Sequence, residues 1–369
     1  MKTRPIINRT LIIFISVLAL ATVIMQMRGF GSTGGKKAAI EVDSTKGLKD
    51  FYKDYFLIGV AVGPNNLVGE QAELIKKHFN SLTAENAMKP GPIHPEENRY
   101  AWENADKIVD FAQVNGLKVR GHTLCWHNQT APWMFKDSEG NQVTKEVALA
   151  RLKDHITRVV SRYKGKIYAW DVLNEAVEDS DTAKLYRETM WYKICGEEYI
   201  AKVFQWAHEA DPDAVLVYND YNTENPSKRD RIYKMLKKLL DEGVPVNAVG
   251  LQGHWNINDP TEKNLRDAVD KFSSLGLKIQ ITELDVSIYA SGADTAGIGF
   301  TPQREQKQID FYKMAFKVFR EKKDVITGVT FWNVSDLHSW RDRRNMKVYP
   351  LLFDENLKPK KVFGEVVKF

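Results

Sequence analysis

Two glutamates, Glu175 and Glu283, are the residues whose sequence surroundings best suit nucleophilic and acid–base chemistry. Each closes a short apolar run of the kind that forms a buried strand. Two carboxyl groups held about 5–5.5 Å apart can cleave a glycosidic bond in two displacements that retain the configuration of the sugar. One attacks the anomeric carbon, and the other protonates the leaving oxygen and then takes a proton from water. Either glutamate alone is as easily a solvated strand end or an ion-pair partner, so this chemistry requires a fold that unites them.

Amide, imidazole, indole and further carboxylate groups end the other apolar runs of the chain. These residues are Glu85, Asn86 and Lys89; His122, Trp126, His127 and Gln129; Asn174; Asn219, Asp220 and Tyr221; Gln252 and His254; Asp285; and Trp332, with Trp340 in the loop beyond. One charged strand end is ordinary because strands finish in solvent, but solvation alone does not explain seven such ends. Tryptophans are common in cores, yet three near one rim suit stacking on the apolar C–H faces of sugars.

Three histidines, His122, His127 and His254, raise the alternative of a metal site of the kind that zinc hydrolases use. The sequence has no HxH or HExxH pair to supply two ligands from one element. His122 and His127 are five residues apart at a strand end, where a period of two residues directs them to opposite sides. The pattern therefore favours packing or substrate positioning, and we expect no metal and no cofactor.

Eight short apolar or β-branched runs, each followed by a loop and an amphipathic stretch, organise the chain from residue 51 onward. The runs are Phe56–Val62, Phe79–Glu85, Leu117–Trp126, Ile167–Glu175, Ala214–Tyr221, Ala248–His254, Lys278–Val286 and Gly328–Asp336. Their unbroken apolar character is typical of strands that are buried on both faces, as in parallel sheets.

The stretches between these runs have the period of amphipathic helices. In 225–242, Asn225 can cap a helix that has Pro226 at its first position, and 144–163 and 302–323 each carry one apolar face. Eight such βα units in about 320 residues predict an α/β fold, a single (β/α)₈ TIM barrel. A doubly wound open sheet is the alternative, but no GxGxxG loop follows the first strand. In a barrel, the carboxyl ends of the strands form the active site.

Composition and charge narrow the class of protein. The 369 residues are 43% hydrophobic and 27% charged, which excludes a disordered chain. The formal net charge is +5, but residues 1–40 hold six basic residues and no acidic ones, so the remainder carries −1. A near-neutral body of this kind does not predict a nucleic-acid partner. Neither Cys125 nor Cys195 has metal-ligand spacing with another cysteine, and we expect both to be free and buried.

The first residues have the pattern of an export signal. Three basic residues precede an uncharged apolar run, Leu11–Met27, which Arg28 ends, and Ala19-Leu20-Ala21 offers a cleavage site. At 17 residues the run is also just long enough to serve as an uncleaved anchor. We predict a signal peptide or membrane anchor over 1–28, a linker over 29–44 and a catalytic domain over 45–369. The protein would then be secreted or extracytoplasmic, and any membrane contact would be through this segment.

Seven features of the sequence match a known family, in the order in which that family carries them. They are SLTAENAMKP (81–90), RGHTLCWHNQTAPWM (120–134), YAWDVLNEAVED (168–179), VYNDYN (217–222), VGLQGHW (249–255), ITELDV (281–286) and the pair Trp332 and Trp340. Over roughly residues 45–369 the chain resembles the glycoside hydrolase family 10 xylanases. The arrangement of Asn-Glu plus a second Glu is shared by many barrel glycosidases, whereas ENxMK, GHTLxWH and LQGH are much more specific.

The resemblance implies a role for each matching residue. Glu175 would be the acid/base and Glu283 the nucleophile, and Asn174 would bind the 2-hydroxyl of the −1 sugar. His254 would hold Glu283 ionised and aimed, with Asp285 behind it. Glu175 must in contrast carry a proton near neutral pH. The resemblance also implies that Gln252 lies at the floor of the site near the catalytic pair, that Tyr221 faces the aglycone side, and that Trp332 and Trp340 cover the −1 and −2 sugars. The residues that would line the glycone subsites are His122, Trp126, Gln129, Glu85, Asn86 and Lys89.

The activity that the resemblance implies is endo-β-1,4-xylanase, acting on xylan and xylo-oligosaccharides as a monomer. Two alternatives stay open, a barrel glycanase for mixed or glucose-based β-glycans and a non-catalytic xylan-binding protein on a degenerate barrel. The second would not need both glutamates with Asn174 and His254. Three features depart from the family pattern: Asn333 stands where the family usually has glycine, the GVAVGPNN of the first strand is less typical than the rest, and RDRRN (341–345) forms a basic loop near the glycone end. They leave the fine subsite preference open.

Overall fold

A computed structural model of the chain describes residues 43–180, 184–290, 299–343 and 346–369. The predicted signal or anchor, the predicted linker up to residue 42 and the last two residues of the basic loop lie outside the described residues. Within the described ranges, no helix is both long and apolar enough to cross a membrane.

Eight of the nine strands in the described ranges form one closed parallel barrel. In chain order they are Leu57–Val62 (β1), Ser81–Ala84 (β2), Lys118–Cys125 (β3), Ile167–Asn174 (β4), Val215–Asp220 (β5), Ala248–Leu251 (β6), His254–Asn256 (β7), Lys278–Ser287 (β8) and Ile326–Phe331 (β9). Neighbours pair in the order β6-β5-β4-β3-β2-β1-β9-β8, and β8 pairs with β6 to close the ring. The short strand β7 pairs with β8 beyond the barrel. The predicted (β/α)₈ TIM barrel is confirmed, and the open doubly wound sheet is excluded.

Helices lie between the strands. They are Leu48–Phe51 (α1), Gly69–His78 (α2), Pro90–Ile93 (α3), Glu103–Val114 (α4), Lys145–Arg162 (α5), Met190–Cys195 (α6), Glu198–Ala210 (α7), Pro226–Asp241 (α8), Glu262–Ser273 (α9), Pro302–Glu321 (α10) and Lys361–Val366 (α11). The predicted cap is confirmed, because the side chain of Asn225 accepts from the backbone N–H groups of Ser227 and Lys228. The helices predicted over 144–163 and 302–323 are α5 and α10.

Two predicted strands were wrong at their carboxyl ends. The run Ala248–His254 is divided into β6 and β7, because the chain turns at Gly253, whose φ is 80°. The run Gly328–Asp336 stops at Phe331, two residues before Asn333 takes a φ of 111°. Apolar continuity marks where a strand is buried, but not where the backbone leaves the sheet.

A buried ionic cluster fills part of the barrel interior beneath the site. The guanidinium of Arg120 on β3 forms an ion pair with the carboxylate of Asp171 on β4, in which Nη1 of Arg120 donates to Oδ2 of Asp171 at 2.6 Å. The Nε of Arg120 also donates to Gln280 on β8 at 2.8 Å. Because both ions are fully buried, each needs the other, and the pair ties three strands together. Elsewhere in the fold, Cys125 and Cys195 are free and buried, as predicted.

Candidate active site

A cavity of about 380 Å³ opens at the carboxyl ends of the barrel strands. Its lining consists of Lys89, His122, Trp126, Asn128, Asn174, Glu175, Tyr221, Asn222, Gln252, His254, Glu283, Trp332 and Trp340. A larger hollow of about 790 Å³ is lined chiefly by α10, α11 and the residues around α1 and the end of α2, and none of its residues ends a strand. The paired glutamates, the imidazoles of His122 and His254 and the three indoles all lie in the smaller cavity, which is therefore the candidate active site.

Glu283 lies within β8, where the register with β9 shifts. One of its carboxylate oxygens accepts a hydrogen bond from Nδ2 of Asn219 at 2.7 Å, and the other is 3.0 Å from Nε2 of His254. Burial by itself would raise the pKa of this carboxyl, but the hydrogen bond from His254 and the nearby charge of His122 outweigh burial and lower it to about 2. Glu283 is thus an anion over the whole ordinary pH range.

His254 connects Glu283 to a second buried acid. Its Nδ1 is 3.0 Å from Oδ2 of Asp285, which also accepts a bond from Nε1 of Trp340 at 2.8 Å. Nη1 of Arg341 binds the other oxygen of Asp285 at 2.6 Å. Burial favours neutral imidazole, yet the two flanking carboxylates raise the pKa of His254 to about 9. The imidazolium is therefore held between two anions, which orients it and Glu283 together.

Glu175 is the first residue after β4 and has a φ of 58°. Its Oε1 accepts from Nδ2 of Asn174 at 3.1 Å and from Nε2 of Gln252 at 3.0 Å. Its Oε2 accepts from Nε1 of Trp126 at 3.0 Å. All three donors are neutral, so they fix the position of the carboxyl group without placing a fixed charge against it.

Asn219 on β5 joins the two glutamates, a role that the sequence pattern did not reveal. Its Nδ2 donates to Glu283 and also to Oδ1 of Asn174 at 2.8 Å, and its Oδ1 accepts from Oγ1 of Thr282 at 2.6 Å. The close fit depends on a glycine, because a Cβ at position 250 would lie 2.2 Å from Oδ1 of Asn219. A buried amide in an otherwise apolar strand is the sequence signal that could have identified it.

Residues 47–369 of the chain match the family described as glycosyl hydrolase family 10. The chain belongs to this family. A relative named beta-1,4-xylanase, from Dictyoglomus thermophilum, is 49% identical over 358 residues, which cover 96% of this chain and 98% of the relative. The crystal structure of xylanase XynB from Paenibacillus barcinonensis, complexed with a conduramine derivative, is 44% identical, has a TM-score of 0.85 and covers 89% of this chain and 99% of that one.

A further solved structure describes a mutant protein in complex with xylotriose. It is 44% identical to this chain, has a TM-score of 0.85, and the match covers 88% of this chain and all of the other. The family assignment confirms the resemblance that the sequence motifs carry.

The cavity of this family 10 chain has aromatic walls beside its glutamates. The ring of Trp332 is 5.2 Å from that of His122, and the ring of Trp340 is 4.7 Å from that of His254. His122 is itself anchored, since its Nδ1 is 2.8 Å from Oδ2 of Asp171 in the buried ionic cluster. Imidazole and indole rings in edge-to-face and tilted contact form a rigid apolar wall for a sugar ring.

Lys89 supplies a buried cation to the family 10 cavity. Its ammonium group lies 5.2 Å from the centre of the Trp126 ring and donates to Oδ1 of Asn86 at 2.9 Å. Burial lowers the pKa of Lys89, against the opposing pull of Glu283, Glu85 and Glu175. Asn86 therefore contributes to the site by holding Lys89 rather than by lining the cavity.

Of the residues predicted for the site, only Glu85, Asn86, Gln129 and Asp285 are not part of the cavity lining. Asp285 stands behind His254, and Glu85 lines a second cavity. Gln129 is exposed to solvent, and its backbone oxygen accepts from the N–H of Gly91 at 2.6 Å. Two lining residues that were not predicted, Asn128 and Asn222, lie in the motif stretches beside predicted residues.

The histidines do not form a metal centre with neighbouring ligands in the described ranges, where no three His, Cys, Asp or Glu residues are grouped to hold an ion. His122 lines the cavity and His127 does not. The two histidines therefore have different surroundings. The ring nitrogens of His122 and His254 lie within hydrogen-bonding distance of the side-chain carboxylates of Asp171, Asp285 and Glu283.

Proposed function

We propose that this family 10 chain is an endo-1,4-β-xylanase that cleaves xylan internally and retains the configuration at the anomeric carbon. The observation that carries the proposal is the pair Glu175 and Glu283, which share one cavity in opposite surroundings. One is held as an anion by charged and amide partners, and the other is oriented by neutral donors. The names of the relatives, which include xylanases, support the choice of substrate.

The first displacement assigns a different task to each glutamate. A carboxylate oxygen of Glu283 attacks the anomeric carbon of the −1 sugar and forms a glycosyl-enzyme ester. The bond from that carbon to the glycosidic oxygen breaks, and Glu175 gives its proton to that oxygen, so that the leaving chain departs as an alcohol. After this step Glu283 is held in a neutral ester, and Glu175, having given up its proton, carries the negative charge.

The second displacement restores both glutamates. Glu175, now a carboxylate, takes a proton from a water molecule that attacks the same anomeric carbon. The ester bond to Glu283 breaks, and the new hydroxyl has the original configuration. Each displacement inverts the carbon once, which accounts for net retention.

The other predicted residues hold the sugar chain in place during these steps. Asn174 is positioned by its bond from Asn219, and its role is to bind the 2-hydroxyl of the −1 sugar more strongly as positive charge develops on the ring. Trp332 and Trp340 cover the −1 and −2 sugars and disfavour a C6 hydroxymethyl group, which selects xylose over glucose. Tyr221 faces the aglycone side and receives a hydrogen bond from Arg187 at 2.7 Å.

The proposal extends to where the enzyme works. The basic and then apolar sequence of residues 1–28 supports export, either through cleavage of a signal peptide or as an anchored enzyme. Residues 29–44 would then be a linker and 45–369 the catalytic domain, acting as a monomer on an external polysaccharide.

The test is product release by the full chain from xylan, carboxymethyl-cellulose and mannan. We expect cleavage of xylan alone, with short xylo-oligosaccharides as products whose reducing ends form in the β configuration. Activity on cellulose or mannan but not xylan would preserve the two-glutamate chemistry and overturn the specificity. Binding to xylan without hydrolysis of any of the three would instead support a non-catalytic protein. Loss of activity on chelation would favour metal-assisted hydrolysis.

A further inference from the structure

A second cavity, of about 230 Å³, lies at the same end of the barrel as the active site. Its walls come from the segments that follow β1, β2 and β9, and they include Glu85 and Asn333. Trp332 lines the active-site cavity and the next residue, Asn333, lines the second, so the two cavities are neighbours at the end of β9. A polysaccharide is longer than the active-site cavity, and this neighbour is a natural place for its next part.

Asn333 adopts a backbone conformation that favours glycine. Its φ is 111°, in a region where a Cβ atom meets the adjacent backbone. A residue other than glycine keeps such a conformation only where surrounding contacts hold it, and residues of this kind concentrate at functional sites. The contacts of the Asn333 side chain therefore explain what the position does.

The side chain of Asn333 joins two separate parts of the site. Its Nδ2 donates to Oε2 of Glu85 at 3.0 Å, and its Oδ1 accepts from the backbone N–H of Trp340 at 3.3 Å. Glu85 directly follows β2, where its own N–H donates to the carbonyl oxygen of Val62 at 3.1 Å. One amide thus connects the carboxylate at the end of β2 to the loop that carries the Trp340 indole.

Both partners of Asn333 need such support. Trp340 is 53% exposed and forms one wall of the active-site cavity; Asp285 holds its indole N–H at 2.8 Å, and Asn333 adds a bond to its backbone N–H. Glu85 has a flexible side chain, and a carboxylate that already accepts one bond keeps lone pairs for sugar hydroxyls. A carboxylate and an indole that are fixed before the substrate arrives bind it with a smaller loss of side-chain freedom.

We propose that Asn333 is a positioning residue for the sugar units beyond the one that is cleaved: it aims the Glu85 carboxylate and fixes the Trp340 loop. This inference rests on the proposed xylanase function and adds a determinant of substrate length to it. Asn333 acts through its two partners and does not touch the reacting atoms. Glycine at the same position would accept the backbone conformation but would make neither of the two side-chain hydrogen bonds.

The test compares wild type with Asn333→Gly on two aryl glycosides, 4-nitrophenyl β-xyloside and 4-nitrophenyl β-xylotrioside. We expect kcat/KM for nitrophenol release from the trioside to fall by about three- to tenfold more than that for the xyloside, the loss expected for one or two ordinary hydrogen bonds. The loss should appear mainly in KM, because the contacts bind ground and transition states alike. The thermal midpoint should not fall, since glycine relieves the unfavourable φ.

A matched variant separates the two contacts of Asn333. Asn333→Asp keeps an oxygen for the Trp340 N–H but turns a second carboxylate toward Glu85, so the trioside should lose more affinity than with Asn333→Gly. In a double-mutant cycle with Glu85→Ala, Asn333→Gly should have a smaller effect than in the wild type, because one of its two partners is already gone.

The outcomes distinguish this inference from the proposed function. An active wild type whose Asn333→Gly variant loses equally on both substrates, or on neither, would overturn the positioning role. Fully additive losses in the cycle would do the same. A wild type that hydrolyses no xylo-oligosaccharide would contradict the proposed function, and the positioning role with it.

Discussion

The two sides of the active-site cavity differ in the kind of partner that surrounds each glutamate. Glu283 meets a line of alternating charges, in which His254 lies between it and Asp285, and Arg341 lies beyond. Glu175, across the barrel mouth, meets the amides of its neighbours and the indole N–H of Trp126. The hydrogen bonds to Glu283 include one from an ion, whereas those to Glu175 all come from neutral groups.

This difference matches the two tasks that the proposed mechanism assigns. A nucleophile has to stay ionised, and a fixed cation beside Glu283 ensures this. An acid/base has to lose and regain a proton in every turnover, and a fixed charge against it would oppose one of its two states. Neutral donors hold Glu175 in place through both. Four predictions test this comparison.

The largest effect should follow from Glu283→Ala, which removes the attacking oxygen. We expect turnover of xylan to fall by at least about 10⁴-fold, because no other group can form the ester. Initial rates on xylan measure the loss, and circular dichroism shows whether the barrel stays folded. Glu283→Gln is the matched control, since it keeps the shape of the side chain and should be equally inactive. An active variant of either kind would end the assignment of Glu283 as nucleophile.

Glu175→Ala should have a smaller effect that depends on the leaving group. Xylan needs protonation of a poor leaving group, so its hydrolysis should slow by about 10²–10⁴-fold. An aryl xyloside with an acidic phenol leaves without help, and its first step should be largely spared. The measurement is the burst of phenol before steady state. Equal losses on xylan and on the aryl substrate would show that Glu175 is not the proton donor.

His254→Gln should change how activity depends on pH. In the wild type His254 lowers the pKa of Glu283 to about 2, so Glu283 stays ionised in mild acid. Glutamine removes the positive charge, the pKa of Glu283 rises, and the acid limb of the kcat/KM profile moves to higher pH. The loss relative to wild type should therefore be greater near about pH 4 than near pH 7. Parallel profiles with no shift would mean that His254 does not control the charge of Glu283.

The smallest effect concerns stability. The pKa of His254 is raised from its ordinary 6.5 to about 9, so its contribution to stability is complete below about pH 6.5 and is lost as pH rises through 9. The pKa of Glu283 is lowered from 4.5, so its contribution is complete above about pH 4.5 and is lost as pH falls toward 2.

The difference in free energy of unfolding between wild type and His254→Gln should therefore be greatest between about pH 4.5 and 6.5, on the order of 2 kcal/mol. Denaturant titrations at pH 5.5 and pH 9.5 measure it. A difference that grew toward alkaline pH would reverse the sign and refute the ionic account of this side of the cavity.

Much of this architecture could be predicted from local patterns. The cap at Asn225, the 3.6-residue period of α5 and α10 and the unbroken apolar runs of the strands are all properties of neighbours in the chain. The ends of β6 and β9 could not, because the backbone leaves the sheet where Gly253 and Asn333 turn, and that depends on tertiary contacts.

The site shows the same division. The residue types at strand ends identified Glu175 and Glu283, but not the amide of Asn219 that joins their surroundings or the contact of Asn333 with Glu85. Both contacts join segments that are separated in the chain. A buried amide in an apolar strand can be recognised in the sequence, but the partner of that amide cannot.

The sequence by itself determined the barrel, the family and the two carboxyl groups that suit glycosidic chemistry, because strand burial and residue type are local properties. Only the tertiary structure decided that Glu283 is held beside a cation and Glu175 beside neutral donors. The pKa of a buried carboxyl depends on burial and on charges within a few ångströms, and closure of the barrel brings those groups together from different strands.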